Sequence, residues 1–130
     1  MPTKTQRAAV WAKSDGRCWY CGDKLPEKGW HVDHLEPIGR ESRWCSEAKR
    51  FVHSGDVRRP DMDDLKNMVP ACRACNLHKS SFDLDAWRTE LQSQVERARK
   101  YCVNFRTAIR FGLVTETKAP VLFWFERKQR

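Results

Sequence analysis

Four of the six cysteines stand in two C-x-x-C pairs, Cys18 with Cys21 and Cys72 with Cys75, and 50 residues separate the pairs. A two-residue gap lets both sulfurs of a pair emerge from one tight turn. Two such turns supply the four thiolates that zinc binds as a tetrahedron, with Zn–S bonds of about 2.3 Å. The first seven residues, Met1-Pro2-Thr3-Lys4-Thr5-Gln6-Arg7, have no apolar stretch behind their basic positions. A secreted disulfide framework is therefore not indicated, and the two pairs read as a structural zinc site. Gly22, directly after the first pair, gives that knuckle the backbone freedom its turn needs. Cys45 and Cys102 fall outside the pattern and read as ordinary, partly buried thiols.

A chain of 130 residues fits one domain near the size at which a metal staple helps. With 40% hydrophobic and 11% aromatic residues it is too apolar for a disordered chain, although 32% of its residues are charged. No apolar run approaches the roughly 20 residues needed to cross a bilayer. The expectation is a soluble, cytoplasmic protein without a membrane partner. The net charge is +8, and residues 86–130 hold ten Lys/Arg against four Asp/Glu. Such an excess favours an anionic polymer as partner through long-range attraction and counterion release. On charge alone, a merely solvated surface explains it equally well.

The pattern along the chain predicts an α+β protein. A helix is expected over 3–14, with Ala8, Ala9 and Ala12 as helix formers and Ser14-Asp15-Gly16 as its stop. A short strand is expected over 29–35, ended or bent by Glu36-Pro37. Residues 39–63 read as an irregular surface insertion with a helix around 47–53. A second strand over 64–71 leads into the second knuckle, where a helix begins that carries Cys75, Asn76 and Lys79. Apolar positions Leu84, Trp87, Leu91, Val95, Ala98, Val103, Phe105 and Ile109 predict one long or two consecutive helices, ended by Gly112. Residues 121–125 read as a short apolar strand.

The order of short motifs is the most specific signal. Asp33-His34-Leu35-Glu36-Pro37 follows the first knuckle, Asn67-Met68 precedes the second, and Cys72-Arg73-Ala74-Cys75-Asn76-Leu77-His78-Lys79 completes it. These residues resemble the HNH endonuclease family, whose pattern is C-x-x-C, D-H-[IL]-x-P, N-[LM] and C-x-x-C-[HN]-x-x-K in that order. The resemblance covers residues 18–79, and agreement of several spaced motifs makes it specific where each alone would be weak. The family often has Gly-Gly after its D-H-[IL]-x-P element, whereas here Gly39 is followed by Arg40, and the stretch from Gly39 to Asn67 is longer than usual.

The resemblance implies a ββα-metal core of two strands and a helix around one divalent ion, stapled by zinc. Length and pattern along the chain predict a single domain over 1–130, with core 18–80, insertion 39–63 and helical extension 83–130. The resemblance also implies a metal-dependent DNA endonuclease of the kind found in bacteria and their phages, leaving 5′-phosphate and 3′-hydroxyl ends. His34 would be the general base, since an imidazole with a pKa of about 6.5 can take a proton from water at neutral pH. Asp33 and Asn76 would hold Mg²⁺ or Mn²⁺ through hard oxygens. Asn67 would orient His34 by hydrogen bonding, and Lys79 would reach the phosphate. In a regular strand Asp33 and His34 point to opposite faces and His31 shares the face of Asp33. Either the strand ends there, or His31 is a third participant.

Arg40 and Arg43 on the insertion and Arg97, Lys100 and Arg106 on the C-terminal helices are candidate DNA contacts. A monomer or a homodimer without a small-molecule cofactor is expected. Two other readings use the same residues: a zinc-stapled nucleic-acid-binding module without catalysis, and an RNase.

Overall fold

Thr3 starts the first helix by a reciprocal cap. Its hydroxyl accepts from the Gln6 backbone N–H at 3.1 Å, and its own N–H donates to Gln6 Oε1 at 2.9 Å. Helix α1 then runs over Lys4–Ala12. The computed structural model describes residues 2–127, and the fold is α+β. The chain divides into two compact units, Met1–Asp83 with Phe123–Arg130, and Leu84–Leu122.

In the first unit β1 (His31–His34) pairs antiparallel with β4 (Met68–Ala71). Its register sets Asp33 opposite Val69 and His34 opposite Met68. All four residues of β4 are buried, so this strand is the floor on which the rest packs. Val10, Tyr20, Leu25, Trp30, Ile38 and Phe123 complete the buried set around it. Lys13, just past α1, donates to the Leu65 and Met68 carbonyls at 2.6 and 2.5 Å. Burial lowers its pKa, and Asp64 opposes that shift. A lysine thus closes backbone acceptors at the entry to β4, where a 3-10 turn over Leu65–Asn67 leads in. Helix α2 (Arg73–Lys79) follows β4 directly, giving the strand–strand–helix order that the motifs predict.

Residues 39–63 are a correction. Instead of an irregular insertion with a helix near 47–53, β2 (Arg40–Cys45) and β3 (Arg50–Val57) form an antiparallel hairpin. Its turn places Lys49 at φ 52°. Both faces of this ribbon meet solvent, so it lacks the alternating apolar pattern by which a half-buried strand is read.

The second unit holds three helices, α3 (Leu84–Gln92), α4 (Gln94–Tyr101) and α5 (Val103–Arg110), where one or two were expected. The breaks fall at Ser93 and Cys102, and Gly112 at φ 73° follows the last helix. Cys102 is exposed, whereas Cys45 is half-buried.

The expected strand over 121–125 is also corrected. Phe123 is buried, and a one-turn helix α6 spans Trp124–Arg127. This segment lies on the first knuckle: the Trp124 and Phe125 N–H groups donate to the Tyr20 and Trp19 carbonyls at 2.7 and 3.1 Å. The Trp19 and Phe125 rings stack at 5.5 Å. Five apolar residues do not by themselves distinguish strand from helix, and here aromatic packing decides.

Candidate functional site

The knuckles meet as the spacing requires. The sulfurs of Cys18, Cys21, Cys72 and Cys75 all lie within 4.8 Å of one another, with Cys21 Sγ and Cys72 Sγ 3.9 Å apart. A tetrahedron of zinc–thiolate bonds sets its sulfurs about 3.8 Å apart, so the four residues fit a metal ion such as zinc. Gly22 sits at φ 82°, and a Cβ there would run into the Trp124 ring. The glycine is therefore required twice, by the turn and by the aromatic packed on it.

Packed this closely, the four thiols shift one another's protons. The Cys18 thiol is held down to about 4, chiefly by its hydrogen bond with Cys75. Cys21 is pushed up to about 12, first by burial, and Cys75 is pushed up by the bond with Cys18 and then by burial. Without a cation, one thiolate suppresses the ionisation of its neighbours; a dication removes that conflict. Among the described residues this is the one cluster of three or more His, Cys, Asp or Glu side chains close enough to share an ion.

A cleft of about 880 Å³ opens beside β1, and Arg7, His31, Asp33, His34, Asp63, Asn76 and Lys79 are on its walls. Gly39, Arg40 and His53 bring the start of the hairpin to its rim. The strand β1 ends at His34, so alternation stops there and both Asp33 and His34 line the cleft. His31 lines it as well.

Asp33 is held from within. Its Oδ2 accepts from the Tyr20 hydroxyl at 2.5 Å and meets the Lys79 ammonium at 3.1 Å. Both contacts fall on one oxygen and leave Oδ1 outside them. Burial, then Asp33 itself, raises the pKa of Tyr20, which keeps the phenol a donor. Lys79 is 1% exposed. Its ammonium also donates to the His34 carbonyl at 2.9 Å and stands 5.9 Å from the centre of the Tyr20 ring. The sequence reading sends Lys79 toward the phosphate; in the structure it turns inward and braces β1.

Asn67 also acts through the backbone. Its side chain accepts from the Glu36 N–H at 2.9 Å and donates to the Glu36 and Met62 carbonyls, each at 2.8 Å. Its carbonyl accepts from the Leu35 N–H at 2.8 Å. These bonds fix the chain just after His34 rather than the imidazole itself. The residue on the imidazole is Asp63, whose Oδ1 lies 2.8 Å from His34 Nε2. Sequence reasoning missed it, because Asp63 stands outside every motif; an acidic residue four positions before Asn67 is the one clue it offers.

The candidate cations of the second unit already have partners. Arg97 pairs with Glu90, Lys100 with Glu96 at 3.5 Å, and Arg106 donates to the Arg99 and Lys100 carbonyls at 2.9 Å. Exposed pairs of this kind are weak and break readily for a competing anion. Arg40 and Arg43 are exposed on the hairpin.

Taken together, fold and site define an α+β protein with a four-cysteine, metal-competent staple and an open cleft beside β1. No family model matches the chain, and no curated protein matches it. Among solved structures it is similar to the Type II-C Cas9 enzyme from Actinomyces naeslundii, with a TM-score of 0.46 and 17% identity. That likeness covers 81% of this chain and 10% of the other, so the chain spans about a tenth of that enzyme's length. A likeness this distant carries no argument about function.

Proposed function

We propose that the chain is a metal-dependent HNH-type endonuclease that hydrolyses phosphodiester bonds in DNA. The observation that carries the reading is the meeting of Asp33, His34 and Asn76 on one cleft, with Asp33 and His34 each held by a dedicated partner. Asn67 and Lys79 act behind them, within the 18–80 core.

His34 takes the proton of the attacking water. Its Nε2–H donates to Asp63, which leaves the Nδ1 lone pair as the base. Asp33 Oδ1 and the Asn76 amide oxygen are hard donors that suit Mg²⁺ or Mn²⁺, and two protein ligands leave such an ion mostly hydrated. The ion would neutralise charge building on the phosphate. Lys79 and Tyr20 hold the Asp33 carboxylate in place, while Arg40 at the rim supplies charge for the polyanion.

One observation favours the binding-only alternative: Lys79 already balances the charge of Asp33 and lessens its demand for a cation. Plasmid nicking decides between them. With Mg²⁺ or Mn²⁺ the chain should nick supercoiled DNA, and His34→Ala should lose on the order of 100-fold or more in rate while staying folded and zinc-loaded. Equal nicking by that variant rules out His34 as the base; gel shifts without cleavage across divalent ions leave a binding module. Competition between labelled DNA and RNA separates a DNase from an RNase.

A further inference from the structure

The β2–β3 ribbon carries an aromatic pair that its own fold leaves in water. Trp44 and Phe51 are 58% and 68% exposed, although rings of this size are among the first groups a chain buries. They are direct cross-strand partners. Their rings meet edge to face, with centroids 5.4 Å apart at 76°. That contact steadies the hairpin and leaves a broad ring surface open.

Register shows what shares that face. Side chains alternate along each strand, so Ser42 and Trp44 stand together on β2, with His53 and Phe51 opposite them on β3. His53 also lines the cleft, together with Arg40, Asp33 and His34. One surface therefore runs from the aromatic pair through His53 to the candidate site. His53 Nδ1 accepts from the Gly55 N–H at 3.1 Å, so the neutral ring carries its proton on Nε2 and keeps an N–H to offer.

Charge narrows the partner. Residues 40–59 hold six Lys/Arg against three Asp/Glu. Arg58 and Arg59 are paired with Glu41 and Glu36, and alternation puts Arg43 and Arg50 on the opposite face. That leaves Arg40, exposed at the cleft, as the hairpin cation that shares the lining with His53. Open rings on a surface that continues through His53 to the exposed Arg40 fit a nucleobase with its phosphates. Base–aromatic stacking contributes strongly, and every base has a π-face to offer. A paired, stacked duplex shows its bases only edge-on.

We propose that this face docks unpaired nucleotides. Trp44 stacks a base with Phe51 braced against it, and His53 and Arg40 take the adjoining phosphates toward the cleft. The path of the strand rests on the nuclease reading, whereas the docking itself does not.

The test uses the full zinc-loaded chain without Mg²⁺ or Mn²⁺, and reads fluorescence anisotropy with a labelled single strand and with its duplex. Trp44→Ala should weaken single-strand binding about tenfold, with a much smaller effect on the duplex, while Trp44→Phe retains most of the affinity. A single strand carrying 5-bromodeoxyuridine should photocrosslink to the peptide holding Trp44 or Phe51. Circular dichroism and zinc content check that the variants are folded, and Trp44→Phe controls for collapse of the ribbon. Unchanged single-strand affinity in Trp44→Ala, or crosslinks confined to other peptides, overturns the docking and leaves the nuclease reading standing. Equal weakening on both ligands overturns the claim for unpaired bases. Binding through Trp44 by a chain that nicks no plasmid when Mg²⁺ or Mn²⁺ is supplied supports the docking and overturns the nuclease reading.

Discussion

His34 meets Asp63 through Nε2, and in the proposed reaction that bond selects the nitrogen left to accept a proton. The imidazole side chain is 12% exposed and the Asp63 carboxylate 52%, so the acid is half in solvent and the value of the pair lies in orientation. Asp63→Ala should lower turnover on the order of 10- to 100-fold, as losing the partner of a working histidine does, with KM little changed. Asp63→Asn keeps an acceptor oxygen and should recover much of the rate. The ¹⁵N shifts of His34 should show one dominant tautomer in the parent and a mixture in the alanine variant; an unchanged tautomer there removes Asp63 from the role. The two members of this pair differ in how far sequence reveals them. His34 is legible because the motif needs a histidine after Asp33 at the end of a strand. Asp63 is not, because its role depends on how the chain from the hairpin to β4 folds back over β1.

At the scale of elements, the bond that matters most joins α2 to β1. Lys79, the last residue of α2, reaches Asp33 and the carbonyl of His34, so one side chain locks a helix of seven residues onto the strand that bears the site. An ammonium this deeply buried is tolerated because it is paired. Removing it strands the Asp33 carboxylate, and such a loss costs about 3–5 kcal/mol. Lys79→Ala should shift the denaturation midpoint of the zinc-loaded protein accordingly. A midpoint close to that of the parent would mean that Asp33 is hydrated rather than braced. The strands and helix of this core were readable, since each is flanked by a knuckle, a proline or an apolar run. The hairpin was not: its polar, two-sided strands have no pattern that distinguishes them from a loop. The 121–125 segment was misread because its packing partners, Trp19 and Tyr20, lie a hundred residues away in sequence.

For the whole molecule, the four cysteines join residues 18–21 to residues 72–75 and hold β1, the hairpin and β4 within one closed loop. The apolar groups buried around β4 are few for a unit of this length. A structural zinc site contributes about 10–16 kcal/mol of apparent binding free energy, and the net stability of a domain is about 5–15 kcal/mol. Metal and fold are thus of the same order, and without the metal little net stability should remain in Met1–Asp83. Chelation at neutral pH should abolish the near-ultraviolet dichroism of the Trp19, Trp124 and Phe125 cluster and remove any cooperative melt of that unit. Zn²⁺ should restore both and Mg²⁺ neither, because the donors are thiolates. Cys72→Ser should behave as the chelated protein does even with zinc in excess. A chelated chain that melts at the same temperature as the loaded one would show that the aromatic packing around Tyr20 holds the unit alone, and the four thiols would then need another explanation.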